Sequence, residues 1–208
     1  MVAELGDLGG KVDSQKRGFI VHSVLLLAAD GGRTLGLLEQ ARWCRPVAQR
    51  GQRQTRDERA YAAKESFKWQ RASERLARRL GATQARVISG CDRDADVYAY
   101  LQHKVSHAER FLVRASWDRR VAGEAAHLFE ALERAPLLGS QVVSVPQRGG
   151  AQARRARCAH LEICTARVQF RGPRRAAGAG CVGRAWGVGG GAAGATRPGA
   201  VVLAVVDE

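Results

Sequence analysis

The sequence predicts a mixed α/β fold, because apolar strand-like runs alternate with stretches whose apolar residues recur at helical spacing. The predicted order is strand, strand, helix, strand, helix, strand, helix. Hydrophobic residues make up 45% of the chain and charged residues 26%, so a packed core is expected and global disorder is not. The 208 residues suffice for one full domain, or for one domain with a partial second.

The amino-terminal part predicts a β-hairpin after an irregular entrance. Residues 1–18 are polar and glycine-bearing, and we interpret them as a short helix remnant at 2–8 followed by a loop. Residues 19–27 form a nearly continuous apolar strand, residues 30–32 a turn and residues 34–38 a second strand. The unbroken apolar run predicts a first strand buried on both faces.

A polar loop and a basic helix are predicted next. Residues 43–59 are arginine-rich and predict a loop, whereas residues 58–80 carry apolar side chains at helical spacing until Gly81 stops the helix. Basic side chains lie away from that apolar stripe, namely Lys64, Lys68, Arg71, Arg75 and Arg78. This face either follows phosphates or is simply solvated, and the second explanation is the commoner one.

Residues 86–101 organise the prediction of function. A short strand at 87–89 leads to Asp92, and helical spacing resumes from Ala95 to Leu101. This pattern predicts a carboxylate at the tip of a strand, directly before a helix. Such a carboxylate can bind a divalent cation, although one carboxylate does not make a site.

The remaining elements become less regular towards the carboxyl end. Residues 171–199 contain ten glycines and seven alanines, without a period, and predict a loop or disorder. Around this segment the sequence predicts strands at 110–115, 141–145, 161–170 and 201–206 and a helix at 123–135.

The net charge is the most unusual property of the composition. Lys and Arg number 34 against 20 Asp and Glu, which gives +14 and a pI near 10.7. A polyanionic partner is the first interpretation, with nucleic acid ahead of a membrane surface. The alternative is a GC-rich genome that favours arginine, alanine and glycine codons.

Cysteine usage and hydropathy exclude several classes of protein. The five cysteines contain no CxxC pair, so neither a zinc site nor a disulfide framework is predicted. The first residues do not resemble a signal peptide, and no run approaches the roughly 18 apolar residues of a membrane span. We therefore expect a cytoplasmic protein that is not bound to a membrane.

Several stretches together resemble one family over roughly residues 2–149. The family is the insertion-sequence-four group of DDE transposases, the type that includes the transposase of transposon five. The matching stretches occur in the family's order and at about its spacing. They are HSVLLL at 22–27, LGLL at 35–38, W-x-R-P at 43–46, KES-x-KW at 64–69, V-I-x-x-CDR-x-AD-x-x-AYL at 87–101, H-x-ERF-x-VR at 107–114, and a valine strand ending in PQ-x-G at 142–149.

The resemblance implies a ribonuclease-H-like core that cuts and joins DNA. In that family three carboxylates hold two Mg²⁺ or Mn²⁺ ions, which activate water and then a DNA 3′ hydroxyl for attack on phosphodiesters. Asp92 matches the second catalytic aspartate, at the end of the fourth core strand. Arg114 matches a basic residue that ends the next strand, near the DNA.

The chain also departs from the family pattern. The family's first aspartate, in a D-T-T-like motif, falls before residue 1, and no Y-x-x-R-x-x-x-E-x-x-x-x-x-x-K helix with the catalytic glutamate follows Pro146. The family's amino-terminal DNA-binding and carboxy-terminal dimerisation regions are not found either. The resemblance therefore implies a partial ribonuclease-H-like core at 1–136 lacking its first strand, the start of a β-rich insertion at 137–170, a Gly/Ala/Arg-rich segment of low order at 171–199 and a terminal strand at 200–208.

Other acids are weaker candidates for the missing ligands. Asp94 and Asp96 follow Asp92 closely but do not match family catalytic positions, and we expect Asp96 to cap or decorate the helix. Upstream, Asp7 and Asp13 fall in a predicted loop and Asp30 in the hairpin turn. None of these three is expected to replace the first aspartate.

Arginines after Pro146 form the strongest basic cluster, and Arg148, Arg154 and Arg155 are its candidate DNA-binding members. A role on the DNA backbone and an accident of composition explain this cluster equally well.

Four other residues are expected to have packing roles in the fold. His22 is expected to be a satisfied core histidine and Cys91 a small buried filler. Trp43 and Trp69 are expected to pack, with stacking on a base as the alternative.

Two classes of function follow. The first is an enzyme by descent: a fragment of a DNA transposase that is inactive alone. The second is a non-enzymatic remnant, either a salt-sensitive DNA binder or a decayed gene product with no function.

Overall fold

The computed structural model describes residues 6–7, 17–45, 60–150 and 153–172, together with the backbone of 181–190 and 200–205. The chain divides into two compact units, Met1–Gln84 and Ala85–Glu208. The mixed α/β class predicted from the sequence is confirmed. In the first unit, β1 (Gly6–Asp7) pairs antiparallel with β2 (Arg17–Gly18), so the helix predicted at 2–8 is wrong at these two residues; its other residues lie outside the described part.

The predicted hairpin is confirmed. Strand β3 (Ile20–Leu27) pairs antiparallel with β4 (Thr34–Trp43). Gly31 and Gly32 form the turn with φ of 97° and 71°, in the left-handed region that glycine adopts without steric cost. Strand β4 extends to Trp43, beyond the predicted end at residue 38, because the whole length of β3 offers it a pairing partner.

The prediction that the first strand of the hairpin is buried on both faces is wrong. Val21, Leu25 and Leu27 remain 52%, 54% and 52% exposed, and the cross-strand partner of Leu25, Leu37, is 53% exposed. The other face alternates with this one and is half-buried. Within the described residues, helix α1 (Lys68–Leu80) packs against β4 and covers one face of the hairpin, which is why the apolar run is not buried throughout.

Helix α1 (Lys68–Leu80) follows two one-turn 3-10 helices, Tyr61–Ala63 and Glu65–Phe67. It buries Ala72, Ser73 and Leu76 and ends at Gly81, whose φ is 53°, as predicted. The α-helix therefore starts later than the predicted residue 58, which lies outside the described residues.

The second unit is built on a six-stranded mixed sheet. Its spatial order is β5-β6-β10-β9-β8-β7, where β5 and β6 are parallel and every other neighbouring pair is antiparallel. The strands are β5 (Ser89–Cys91), β6 (Phe111–Arg114), β7 (Leu137–Val145), β8 (Arg157–Phe170), β9 (Cys181–Gly190) and β10 (Ala200–Val205). Helix α2 (Tyr98–Ser106) connects β5 to β6, and α3 (Leu128–Glu133) precedes β7.

The prediction of a loop or disorder throughout residues 171–199 is wrong for Cys181–Gly190, which form strand β9. Its ten residues pair with β8 over their whole length and with β10 on the other side. Ladder hydrogen bonds join backbone groups, so a glycine-rich segment can form a strand without side-chain bulk when neighbours flank it on both edges. The predicted terminal strand is confirmed as β10.

The core of the second unit lies between its helices and its sheet. Leu101 of α2, Val113 of β6, Leu128 and Leu132 of α3 and Phe170 of β8 are all at most 3% exposed. The parallel strands β5 and β6 belong to this sheet. The segments that directly follow them are therefore attached to packed secondary structure. Among the helices that the structure describes, none has the length and apolar character needed to cross a bilayer.

Candidate metal and nucleic-acid site

Asp92 stands directly after β5, as the sequence predicts. It is the N-cap of a one-turn 3-10 helix, Arg93–Ala95, and its Oδ1 accepts a hydrogen bond of 2.9 Å from the backbone N–H of Asp94. The residue is exposed. A short polar side chain that accepts from the residue two positions on is a standard way to turn the chain out of a strand. The carboxylate therefore has a fixed position and retains acceptor capacity towards solvent.

Asp96 has a different role from the one expected. Its side chain is 0% exposed and accepts hydrogen bonds from the backbone N–H of Ser116 at 2.6 Å and of Trp117 at 3.1 Å, both to Oδ2. Arg119 holds the other oxygen, Oδ1, through Nε at 2.9 Å and Nη2 at 2.5 Å. Helix α2 takes Val97 as its N-cap, so Asp96 neither caps nor decorates that helix.

These contacts join the segment after β5 to the segment after β6. Besides the bonds to Asp96, Arg119 Nη2 donates to the backbone oxygen of Asp96 at 2.6 Å, and Ser116 Oγ donates to the backbone oxygen of Arg93 at 3.0 Å. We call this set the loop brace, formed by Arg93, Asp96, Ser116, Trp117 and Arg119. Sequence reasoning missed it because the partners of Asp96 lie 20 to 23 residues further on. The one available signal was Asp96, the third aspartate of CDRDAD, which matches no catalytic position.

A buried ion pair helps to attach helix α2 to strand β5, the strand that directly precedes Asp92. Lys104 of α2 is 0% exposed, and its Nζ donates to Glu109 Oε2 at 2.5 Å and to Ser89 Oγ of β5 at 3.0 Å. The ammonium also lies 5.5 Å from the ring centroid of Tyr100. Helix α2 is therefore attached to the strand that carries Asp92 by a charged group as well as by apolar packing.

Cys91, predicted as a small buried filler, is half-buried in the structure. Its Sγ lies 3.6 Å from Tyr100 Oη. Burial raises the pKa of the Cys91 thiol, while the hydrogen bond with Tyr100 and the charge of Lys104 oppose that rise. A thiol whose pKa is raised stays protonated at neutral pH and is a poor nucleophile or metal ligand.

Arg114 ends β6 at the same side of the sheet as Asp92. Strands β5 and β6 are parallel, with Cys91 opposite Val113, so Asp92 and Arg114 are the next residue along each strand. Arg114 is exposed. The backbone register therefore places Asp92 and Arg114 beside each other at the ends of two neighbouring parallel strands.

Arg148, Arg154 and Arg155 lie together in the connection between β7 and β8. Arg148 and Arg154 form an isolated antiparallel bridge, with backbone hydrogen bonds of 3.0 and 2.9 Å in the two directions. All three residues are exposed. We call them the basic connection.

The basic connection does not lie beside Arg114. Arg114 of β6 pairs with Val202 of β10, which pairs with Trp186 of β9, which in turn pairs with Thr165 of β8. Arg114 is therefore level with Thr165 across the sheet, whereas the basic connection lies before Arg157, where β8 begins. The step from Thr165 to Arg157 corresponds to roughly 26 Å along a strand. The predicted DNA-binding residues thus form two separate groups.

The described residues do not assemble a metal site around Asp92. Within residues 17–45, 60–150 and 153–172, no group of three or more His, Cys, Asp or Glu side chains is placed to hold a metal ion. Asp30 lies exposed in the hairpin turn of the first unit, while the side chains of Asp7 and Asp13 lie outside the described part. Because Mg²⁺ takes about six oxygen ligands in near-octahedral geometry, the Asp92 carboxylate alone does not fit a two-ion centre.

In the first unit, several basic residues of α1 already have partners. Arg75 and Arg79 contact the Glu39 carboxylate of β4 at 2.8 and 3.4 Å. Lys68 lies over the ring of Trp69, and Arg71 lies over that of Phe67. Of the face predicted to follow phosphates or to be solvated, Arg75 therefore attaches the helix to the hairpin, whereas Arg71 and Arg78 are exposed.

Two residues of the first unit fit their predicted packing roles. The rings of His22 and Trp69 meet edge to face, with centroids 4.7 Å apart. Both side chains are half-buried, which agrees with packing for each of them.

A scan of the sequence against models of known protein families finds no match.

Proposed function

We propose that this chain is part of a DDE transposase of the insertion-sequence-four type and that it binds DNA. The observation that carries the proposal is the position of Asp92, which follows a β-strand directly and precedes helix α2. The transposase resemblance assigns this aspartate to the end of a core strand, with a basic residue ending the next one. Arg114 occupies that second position on the neighbouring parallel strand.

A partial ribonuclease-H-like core is the finer fold that we propose. The hairpin β3–β4 and the parallel pair β5–β6 linked through α2 support it, since the resemblance assigns these elements to consecutive parts of such a core. In the same assignment, β7 and β8 begin the β-rich insertion.

We further propose that Asp92 supplies one ligand to Mg²⁺ or Mn²⁺ and that this chain alone does not cleave DNA. Bound ions of this kind would activate a hydroxyl group and neutralise charge on a phosphodiester. Asp92 contributes an exposed carboxylate, and Arg114 contributes a positively charged side chain at the end of the neighbouring strand. Within the described residues no cluster of three or more ligating side chains includes Asp92, and the Asp96 carboxylate is engaged in the loop brace.

A plasmid assay tests the activity part of the proposal. The purified chain, its Asp92→Ala variant and a matched Asp94→Ala variant are incubated with supercoiled DNA in Mg²⁺ or Mn²⁺. Conversion to the nicked form is expected in none of the three samples. Metal-dependent nicking that disappears only in Asp92→Ala would show a working site and would overturn the proposed inactivity.

The second candidate is a DNA-binding remnant without catalytic activity, and the basic connection favours it. Three exposed arginines in one short connection can neutralise phosphates without reference to Asp92. DNA binding that is steeply salt-dependent and indifferent to divalent cations and to Asp92→Ala would favour this candidate. Binding that Mg²⁺ strengthens only when Asp92 is intact would favour the transposase part.

A decayed product without function is the remaining alternative, and thermal melting distinguishes it. The exposed apolar face of β3–β4 and its strand edges, which pair with no further strand among the described residues, are features that promote association of chains. A cooperative melt of a monomer, together with DNA binding, would contradict decay. Aggregation or a non-cooperative melt would support it.

A further inference from the structure

Trp117 is unusually exposed for a tryptophan. It is 62% exposed, whereas Trp43 and Trp69, the other tryptophans whose side chains the structure describes, are half-buried. Tryptophan is highly buried on average, because its large ring gains most from leaving water. An exposed ring of this size therefore needs an explanation.

The backbone that carries Trp117 is held from three sides. Its N–H donates to the buried Asp96 carboxylate at 3.1 Å, and its carbonyl oxygen accepts from the N–H of Arg119 at 3.0 Å. The following residue, Asp118, accepts a hydrogen bond of 2.9 Å from the backbone N–H of Phe129 in α3. The exposed ring thus stands on an ordered loop, so little conformational entropy remains to be lost when a ligand contacts it.

Exposed arginines lie near Trp117 in the chain, together with the exposed acids Asp92, Asp94 and Asp118. Arg114, three residues before Trp117, and Arg120, three residues after it, are both exposed. Arg93 is exposed as well and is joined to the loop by the hydrogen bond from Ser116. An exposed aromatic ring with an exposed arginine three residues away on each side along the chain suits a nucleic-acid strand, whose bases stack and whose phosphates attract cations. A purely apolar protein partner would leave these charges uncompensated.

We propose that Trp117 is a stacking platform for an unpaired nucleobase of a DNA strand whose backbone passes Arg114 and Arg120. An unpaired base offers a free face to the ring, whereas in a duplex only the outer faces of the two terminal base pairs are free, because the internal bases are stacked on both sides. Asp96 and Arg119 act as positioning residues that hold the platform. The inference rests on the proposed DNA binding, and it adds a preference for DNA with unpaired bases near the Asp92 end of the sheet.

Binding of an oligothymidylate and of a blunt duplex of equal length tests this inference. Trp117→Ala is expected to weaken oligothymidylate binding by about ten-fold, the scale of removing one base–aromatic stack, and to change duplex binding by less than about two-fold. Trp117→Phe keeps an aromatic face and should retain most of the affinity. Phe19→Ala is the matched control, since Phe19 is an exposed ring beside an arginine in the other unit and should have no effect.

A spectroscopic readout separates stacking from a change in fold. An oligonucleotide carrying 2-aminopurine should change its fluorescence on binding the wild type and Trp117→Phe, but not on saturation with Trp117→Ala. Equal single-strand affinity of the wild type and Trp117→Ala, or an equal loss of affinity for strand and duplex, would overturn the stacking role alone. Failure of the wild type to bind either DNA would overturn the proposed function and this inference with it.

Discussion

Arg119 holds the fully buried carboxylate of Asp96 through two nitrogens, Nε at 2.9 Å and Nη2 at 2.5 Å from the same oxygen. The other oxygen accepts two backbone hydrogen bonds from the segment after β6. A buried carboxylate is costly unless its acceptor positions are filled, and here both oxygens are. The segments that follow two parallel strands are thereby fixed to each other, next to Asp92.

Replacing Asp96 should destabilise the second unit strongly. In Asp96→Asn the shape is kept, but the amide N–H₂ faces donors and the Arg119 charge is left without its partner. A loss of about 3–5 kcal/mol in the free energy of unfolding is expected, as for other broken buried pairs. Urea denaturation followed by circular dichroism measures it. Asp94→Asn, an exposed change on the same turn, should cost well under about 1 kcal/mol, and a similar loss in both variants would contradict the loop brace.

The buried pair of Lys104 and Glu109 makes a second stability prediction. Lys104→Met or Glu109→Leu alone leaves one charge buried without its 2.5 Å partner and should cost about 3–5 kcal/mol. The double variant removes both charges and should cost clearly less than the sum of the single variants. Strict additivity in the unfolding free energies would show that the two groups do not depend on each other. Arg134→Ala, in the exposed pair with Glu130, serves as a control that should leave the unfolding midpoint unchanged.

Acid should weaken the first unit partly through Glu65. Two hydrogen bonds of 2.7 Å from Arg45, followed by the charges of Arg45 and Lys68, lower the pKa of Glu65 below its usual 4.5 against an opposing effect of burial. Because the folded-state pKa is the lower one, this stabilisation is fully present above the unfolded-state pKa. It is lost as pH falls through the folded-state pKa. Glu65→Gln should therefore flatten the fall in stability below pH of about 4.5, as measured by unfolding at several pH values, whereas an unchanged profile would contradict the Arg45 contact.

Salt dependence should report the basic connection. Replacing Arg148, Arg154 and Arg155 with alanine together should reduce the slope of log affinity against log salt by up to about 2.7, or roughly 0.9 for each phosphate that is no longer neutralised. Fluorescence anisotropy with duplex DNA at several salt concentrations measures the slope. Arg33→Ala, an exposed arginine in the β3–β4 turn, is the matched control. An equal effect of Arg33→Ala would mean that net charge alone, and not the location of the arginines, determines binding.

Local patterns predicted the elements and the strand-tip position of Asp92. The hairpin glycines and the Gly81 stop act over a few residues, and the structure has them as expected. The strand before Asp92 also exists, but it spans Ser89–Cys91 and not the predicted residues 87–89. The expected burial of β3 on both faces failed because burial depends on which other elements cover a strand. Strand β9 was missed because its stability comes from neighbours on both edges, whereas its own side chains carry little signal.

The candidate site was predictable only in part for the same reason. Asp92 and Arg114 follow from motif and register, and the structure brings them to adjacent strand ends. The burial of Asp96 depends on Arg119, and the exposure of Trp117 depends on how that brace turns the loop. Both are long-range properties that no local spacing encodes.

The proposal that this chain is part of a transposase has its sharpest test in the genomic DNA on both sides of the coding sequence. Sequencing that DNA should reveal an upstream D-T-T-like codon run and a downstream Y-x-x-R-x-x-x-E run, in frame or interrupted by stops or frame changes. An uninterrupted context of unrelated genes on both sides, without either run, would contradict the proposal.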